Sequence, residues 1–173
     1  TKGTTLFPYT TLFRSLQRDP EDDTTAIVQA SYIYNIAKLV EWKDAGMRQG
    51  NFVIGVVGGA NLYQELIKKY ATKTIGKQPI EVRKLPRSVQ VDQCHILFVG
   101  ENELDLMSGI YETVRDRSTL VITQYAGALE DGAVVNFVKA EQIVRYEMSL
   151  PNARKHRLEV GSTLKQLAHR VIE

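Results

Sequence analysis

The stretch Val91-Asp92-Gln93-Cys94-His95-Ile96-Leu97-Phe98-Val99-Gly100 decides how the chain is read. Its centre, Ile96 to Val99, is an unbroken apolar run of strand-forming residues, closed by Gly100 and preceded by polar residues. Apolar residues at consecutive positions suit a strand covered on both faces, the condition of a central strand in a parallel sheet. Similar runs lie on either side in sequence, Phe52 to Val57 and Thr119 to Thr123, with helix-like segments between them. The expected fold is therefore α/β: a doubly wound, mostly parallel sheet flanked by helices.

Upstream, Asp22-Asp23-Thr24-Thr25 supplies N-cap candidates and negative charge suited to a helix start. Ile27, Ala30, Tyr34, Ala37 and Glu41 share one stripe behind it, widened by Val28, Ile33, Ile36 and Val40. This predicts a buried helix of about five turns, ending near Trp42. The strand Phe52 to Val57 runs into Gly58-Gly59-Ala60-Asn61 and a helix over 62–71, with Leu62, Leu66 and Tyr70 inward. Ile80 to Leu85 reads as a short strand near the sheet edge. A helix over 103–114 sets Leu104, Met107 and Tyr111 at helical spacing. Ala133 to Val138 and Ile143 to Met148 form an antiparallel hairpin joined by Lys139-Ala140-Glu141-Gln142. Pro151 opens a helical turn, and Ser162 caps a last helix that extends to Val171.

The bulk properties fit that reading. A chain of 173 residues is long enough for one core, with about two-thirds of its unfolded surface buried. Residues 22–173 are accordingly read as one domain. A net charge of +2 argues against a dedicated nucleic-acid binder. No apolar run approaches the roughly 20 residues needed to span a bilayer, so the chain is not expected to span a membrane. Cys94 is the only thiol, which rules out an intrachain disulfide and leaves the redox compartment open. Residues 1–18 have neither helical nor alternating period and repeat Thr-Thr-Leu-Phe. They resemble translated adapter sequence and read as a non-native or disordered leader that stands where the natural N-terminus and any export signal would be.

Chemistry-bearing motifs are sparse. The turn Gly55-Val56-Val57-Gly58-Gly59-Ala60 follows a strand and precedes a helix, the context of a phosphate cradle, but its spacing departs from G-x-G-x-x-G. A tight strand-to-helix turn is the simpler account. The segment Ala71 to Gln78 has alanine for the first P-loop glycine and glutamine where Ser or Thr would hold magnesium. A phosphoacceptor receiver fails because no aspartates end the strands before Gly58 and Gly100. There is no G-x-S-x-G elbow. Cys94 and His95 are strand neighbours that point to opposite faces, so Cys94 reads as a structural residue. The histidines 95, 156 and 169 lack metal-ligand spacing, and no cofactor or metal is expected. Arg154-Lys155-His156-Arg157 reads as a solvated helix end or, alternatively, as a contact for an anionic partner.

The pieces that carry a family resemblance are Tyr32 to Trp42 (YIYNIAKLVEW), Phe52 to Gly58, Cys94 to Val99, Gly132 to Val138, Val144 to Ser149 and Ser162 to Ala168. In this order, over about residues 26–173, the chain resembles the YfiR-like family. The resemblance implies an exported, periplasmic, non-enzymatic α/β domain. Its type member represses a membrane-bound diguanylate cyclase through the cyclase's periplasmic region and so controls cyclic di-GMP and biofilm formation. Homodimers and cell-wall glycan binding are further associations of the family. Apart from Cys94, the disulfide cysteines of the type member are absent here, so redox control of that kind does not transfer.

Two surfaces follow as expectations. A partner, either a membrane-bound cyclase or another sensor protein, would meet Tyr34, Lys38 and Trp42 on the first helix and Asn136 and Arg145 on the hairpin. Trp42 belongs most simply to the packing of the first helix, with an interface anchor as the alternative. The alternative is a small-ligand or cell-wall-fragment sensor that uses the carboxyl ends of the strands, at Gly58, Gly59, Asn61, Gly100 and Glu101. An enzyme ranks last, because no acid, base and nucleophile converge in the sequence.

Overall fold

The computed structural model describes residues 20–173, with side chains from Asp23 onward; the leader expected over 1–18 lies outside the described residues. Helix α1 (Pro20–Leu39) leads into the short strand β1 (Val40–Trp42). A 3₁₀ turn (Ala45–Arg48) then precedes β2 (Phe52–Val57), α2 (Ala60–Tyr70), β3 (Thr74–Ile75) and β4 (Gln78–Leu85). Next come β5 (Ile96–Val99), the 3₁₀ segment Glu101–Leu106, α3 (Met107–Val114) and β6 (Leu120–Thr123). The last part holds α4 (Ala128–Asp131), β7 (Val135–Ala140), β8 (Ile143–Ser149), α5 (Leu150–Lys155), β9 (Leu158–Val160), α6 (Ser162–Leu167) and β10 (Arg170–Ile172).

The main sheet has the order β10-β8-β7-β6-β5-β2-β4-β3. It is parallel throughout its centre and antiparallel at the β7/β8 hairpin and at the β3/β4 pair. The expected doubly wound, mostly parallel sheet with an appended hairpin is the observed one. Alternation along β2 divides the core: Phe52, Ile54 and Val56 pack under α1 and α2, whereas Val53 and Val57 face Met107, Ile110 and Val114 of α3. Gly55 sits on the second face because a Cβ there would lie 2.6 Å from Cys94 Sγ and 2.9 Å from Leu85 Cδ1. Cys94 is thus a packed core residue whose thiol burial pushes up to about 11.

Several local expectations are corrected. Helix α1 begins at Pro20, so Asp22 to Thr25 lie within its first turns rather than ahead of them. Ala30, Ile33, Ile36 and Ala37 of the expected face are buried, and Ala26 joins them, but Ile27 is 41% exposed. Ile27 was placed inward because residues 26–37 are apolar nearly all round, which leaves periodicity little to choose between. Val40 to Trp42 leaves the helix to pair antiparallel with β9, a partner more than 100 residues away that no local pattern announces. Leu104 is 47% exposed because residues 101–106 form a 3₁₀ segment, which rotates it away from the helical face.

The hairpin connection is two residues, not four. Glu141 and Gln142 both have positive φ (53° and 66°), the geometry of a tight turn that usually carries Asn-Gly, and that signature is missing here. At the C-terminal end α6 stops at Leu167, with Gly161 rather than Ser162 at its N-cap position. Val171 belongs to β10, which adds to the sheet beside β8.

Candidate functional site

Strand order reverses between β2 and β5: from β2 the chain proceeds to β4 on one side, then returns to β5 on the other. In an open α/β sheet, a crevice forms outside the carboxyl ends of the strands at such a switch point. Here the crevice is a cleft of about 450 Å³. The five residues expected at a ligand site, Gly58, Gly59, Asn61, Gly100 and Glu101, all line it. The topology brings them together because the β2–α2 and β5–α3 connections lie side by side; Gly100 N–H donates to Val57 O at 2.9 Å.

The local backbone explains the glycines. Gly58 and Gly59 take φ of 72° and 59°, so the chain can turn at once from β2 into α2. A Cβ on Gly59 would also lie 2.9 Å from Phe98 Cε1. The tight-turn account of these glycines therefore has a direct structural basis. A Cβ on Gly58 would lie 3.1 Å from Glu103 Oε1, so the Glu103 carboxylate already lies against the turn. Arg87 holds that carboxylate by an ion pair and reaches Asp105 at 2.6 Å.

The walls include residues that sequence reasoning missed. Gln29 projects from α1 and donates from Nε2 to Oε1 of Gln124, at the end of β6, over 2.8 Å. Lys139 and Val144 enter from the hairpin, and Phe98 and Phe137 form part of the floor. One signal was present: Gln29 is a buried polar residue among the apolar side chains of α1, where a polar group needs a reason.

The residues expected to meet a partner divide. Tyr34 stacks on Tyr70 of α2 at 4.6 Å between ring centroids. The Lys38 ammonium lies 4.6 Å from the Tyr34 ring centroid, and Lys73 lies 5.9 Å from it. Arg145 is half-buried on β8, in the opposite half of the sheet from β4, beside which α2 lies. Trp42 is 5% exposed, set edge-on to Phe52 and donating from Nε1 to Ser118 O. It is a core residue, not a surface anchor. Asn136 is also buried. Its Oδ1 accepts from Thr123 Oγ1 and Tyr125 N, and its Nδ2 donates to Tyr125 O and Glu147 Oε1. That fully used carboxamide ties the hairpin to β6 and is closed to a partner.

The reactive side chains are occupied elsewhere. His95 Nδ1 accepts from Val53 N–H, so Nε2 carries the proton and donates to Met47 O at 2.5 Å. His156 Nδ1 donates to Arg117 O at 2.7 Å. Burial holds both imidazoles below the ordinary histidine range. Glu147 is pushed up by burial, but Arg170 and Asn136 together outweigh this and hold it below the usual carboxylate range. Of the Arg154 to Arg157 cluster, the arginines and Lys155 are exposed and His156 is buried.

A family model described as YfiR/HmsC-like matches residues 26–169. The chain belongs to that family. The matched region begins within α1 and ends just before β10, so it includes every residue of the cleft lining except Thr25, and all four residues of the Tyr34 patch. No curated protein matches the chain. Among the described residues of this YfiR/HmsC-like chain, no helix is long and apolar enough to cross a membrane.

Proposed function

We propose that the protein is a periplasmic regulatory domain that acts by protein contact, restraining a membrane-bound diguanylate cyclase and hence cyclic di-GMP signalling and biofilm formation. The observation that carries this reading is the YfiR/HmsC-like match over residues 26–169. The engagement of Cys94, His95 and His156 in packing and backbone hydrogen bonds supports a non-enzymatic role. The contact surface is the Tyr34–Tyr70 stack with Lys38 and Lys73, a rigid aromatic pair fringed by cations of the kind that anchors interfaces. Co-purification with the periplasmic region of a diguanylate cyclase encoded beside this gene tests the reading. Retention of the wild-type chain and its loss with Lys38→Glu are expected. Failure of the folded wild-type chain to associate overturns it.

A second reading is favoured by the cleft, which gathers Gly58, Gly59, Asn61, Gly100 and Glu101 at the topological switch point. In it the domain senses a small ligand or cell-wall fragment, and α1 connects the two surfaces. Gln29 lines the cleft and Lys38 borders the tyrosine stack on one continuous helix, about 13 Å apart along its axis. A saturable thermal shift with a small ligand supports this reading, and no shift with any ligand class opposes it.

A further inference from the structure

We propose that the cleft binds a neutral, hydroxyl-rich ligand, a short saccharide, recognised by carboxamides; this rests on the sensing reading above. Four carboxamides border the cleft: Gln29, Asn61, Asn102 and Gln124. Each offers donors and an acceptor from one planar group, and a sugar hydroxyl also both donates and accepts. The Gln29–Gln124 hydrogen bond fixes the orientation of two of them. With Gln29 Nε2 donating to Gln124 Oε1, that pair presents the Gln29 carbonyl as acceptor and the Gln124 amino group as donor.

The charge pattern argues against an anionic ligand. Glu101 and Glu103 stand against one lining cation, Lys139, and the Arg87 guanidinium bound to Glu103 is shared with Asp105, so the group carries a formal charge of −1. Beside the glycine turn at the start of α2, where a phosphate would approach, lies the Glu103 carboxylate. An incoming anion would meet like charge there instead of open backbone N–H groups. Stacking is also disfavoured. Phe98 and Phe137 belong to the floor but are only 1% and 5% exposed, so neither offers a free ring face to a nucleobase or an indole. Hydrogen bonding from the amide rim remains as the source of recognition.

Calorimetric titration of the full chain with a panel of neutral mono- to trisaccharides tests this, with inorganic phosphate, a nucleoside monophosphate and a neutral tripeptide in parallel. Saturable binding of a saccharide is expected. Gln124→Ala and Asn102→Ala, at positions partly or fully exposed, are each expected to weaken it roughly fivefold, the loss of one hydrogen bond. The unliganded melting temperature of Asn102→Ala should match the parent. Saccharide binding that both variants retain in full overturns the assignment to this cleft. Binding of phosphate, nucleotide or tripeptide without any saccharide overturns the ligand class and leaves the sensing reading standing. No binding by any probe overturns both.

Discussion

The two ends of the same strands differ in kind. At the carboxyl ends of β2 and β5 the chain turns through Gly58, Gly59 and Gly100 and leaves an open cleft rimmed by amides. At the amino ends the rings of Trp42, Phe52 and His95 pack face and edge, and backbone carbonyls of Met47, Arg117 and Ser118 take the remaining N–H groups. One end is finished with large side chains, the other with residues that have none. Stability is concentrated where the strands begin, and room for recognition remains where they end.

The sharpest way to break that contrast is to hollow out the closed end. Trp42→Ala removes a buried indole and its hydrogen bond and should cost about 3–5 kcal/mol in chemical denaturation. A cost below about 1 kcal/mol, within the range of surface substitutions and minor trims, would mean that this end is no more tightly built than the cleft.

Acidification should also act through the closed end. His95 and His156 are held neutral below their ordinary pKa of 6.5, so below that pH the unfolded chain binds more protons than the folded one. Stability is fully present above pH 6.5 and declines as pH falls from there towards the depressed folded values. Glu147, depressed from 4.5, adds its own loss only at lower pH. Melting temperatures measured from pH 7.5 to 5 should fall, and His156→Gln should flatten the decline; an unchanged slope in that variant would contradict the assignment.

A smaller effect of opposite sign is expected at the hairpin tip. Glu141→Asn with Gln142→Gly relieves two left-handed residues and should stabilise by roughly 1 kcal/mol, read as a higher denaturation midpoint. The smallest change belongs to the cleft rim: Asn102→Ala, at an exposed position, should alter stability by no more than about 0.5 kcal/mol. A larger loss would show the Asn102 carboxamide to be a structural tie rather than part of a binding rim.

Much of the cleft could be read from the chain itself. Apolar runs at 52–57 and 96–99, each closed by glycine, mark neighbouring parallel strands whose exits meet, and this located all five cleft residues named from the sequence. The partner surface was less legible. Tyr34 and Lys38 share a patch with Tyr70, the last residue of the next helix, and Lys73, in the turn that follows it. Trp42 and Asn136 looked like surface candidates because an aromatic at a helix end and an amide in a hairpin are locally neutral about burial. Their environments depend on Ser118, Tyr125 and Glu147, all distant in sequence.

Unaided, the amino-acid order determined the alternation of strand and helix, the central parallel strands and the glycine turns, because side-chain periodicity and backbone freedom are local properties. Only the tertiary structure decided that Val40 to Trp42 pairs with β9, that α1 turns Ala26 rather than Ile27 inward, and that Glu103 lies against the glycine turn. Each of those outcomes depends on a contact partner supplied by another part of the chain. A sequence window contains no such partner, and desolvation and hydrogen bonding take effect only once the two surfaces meet.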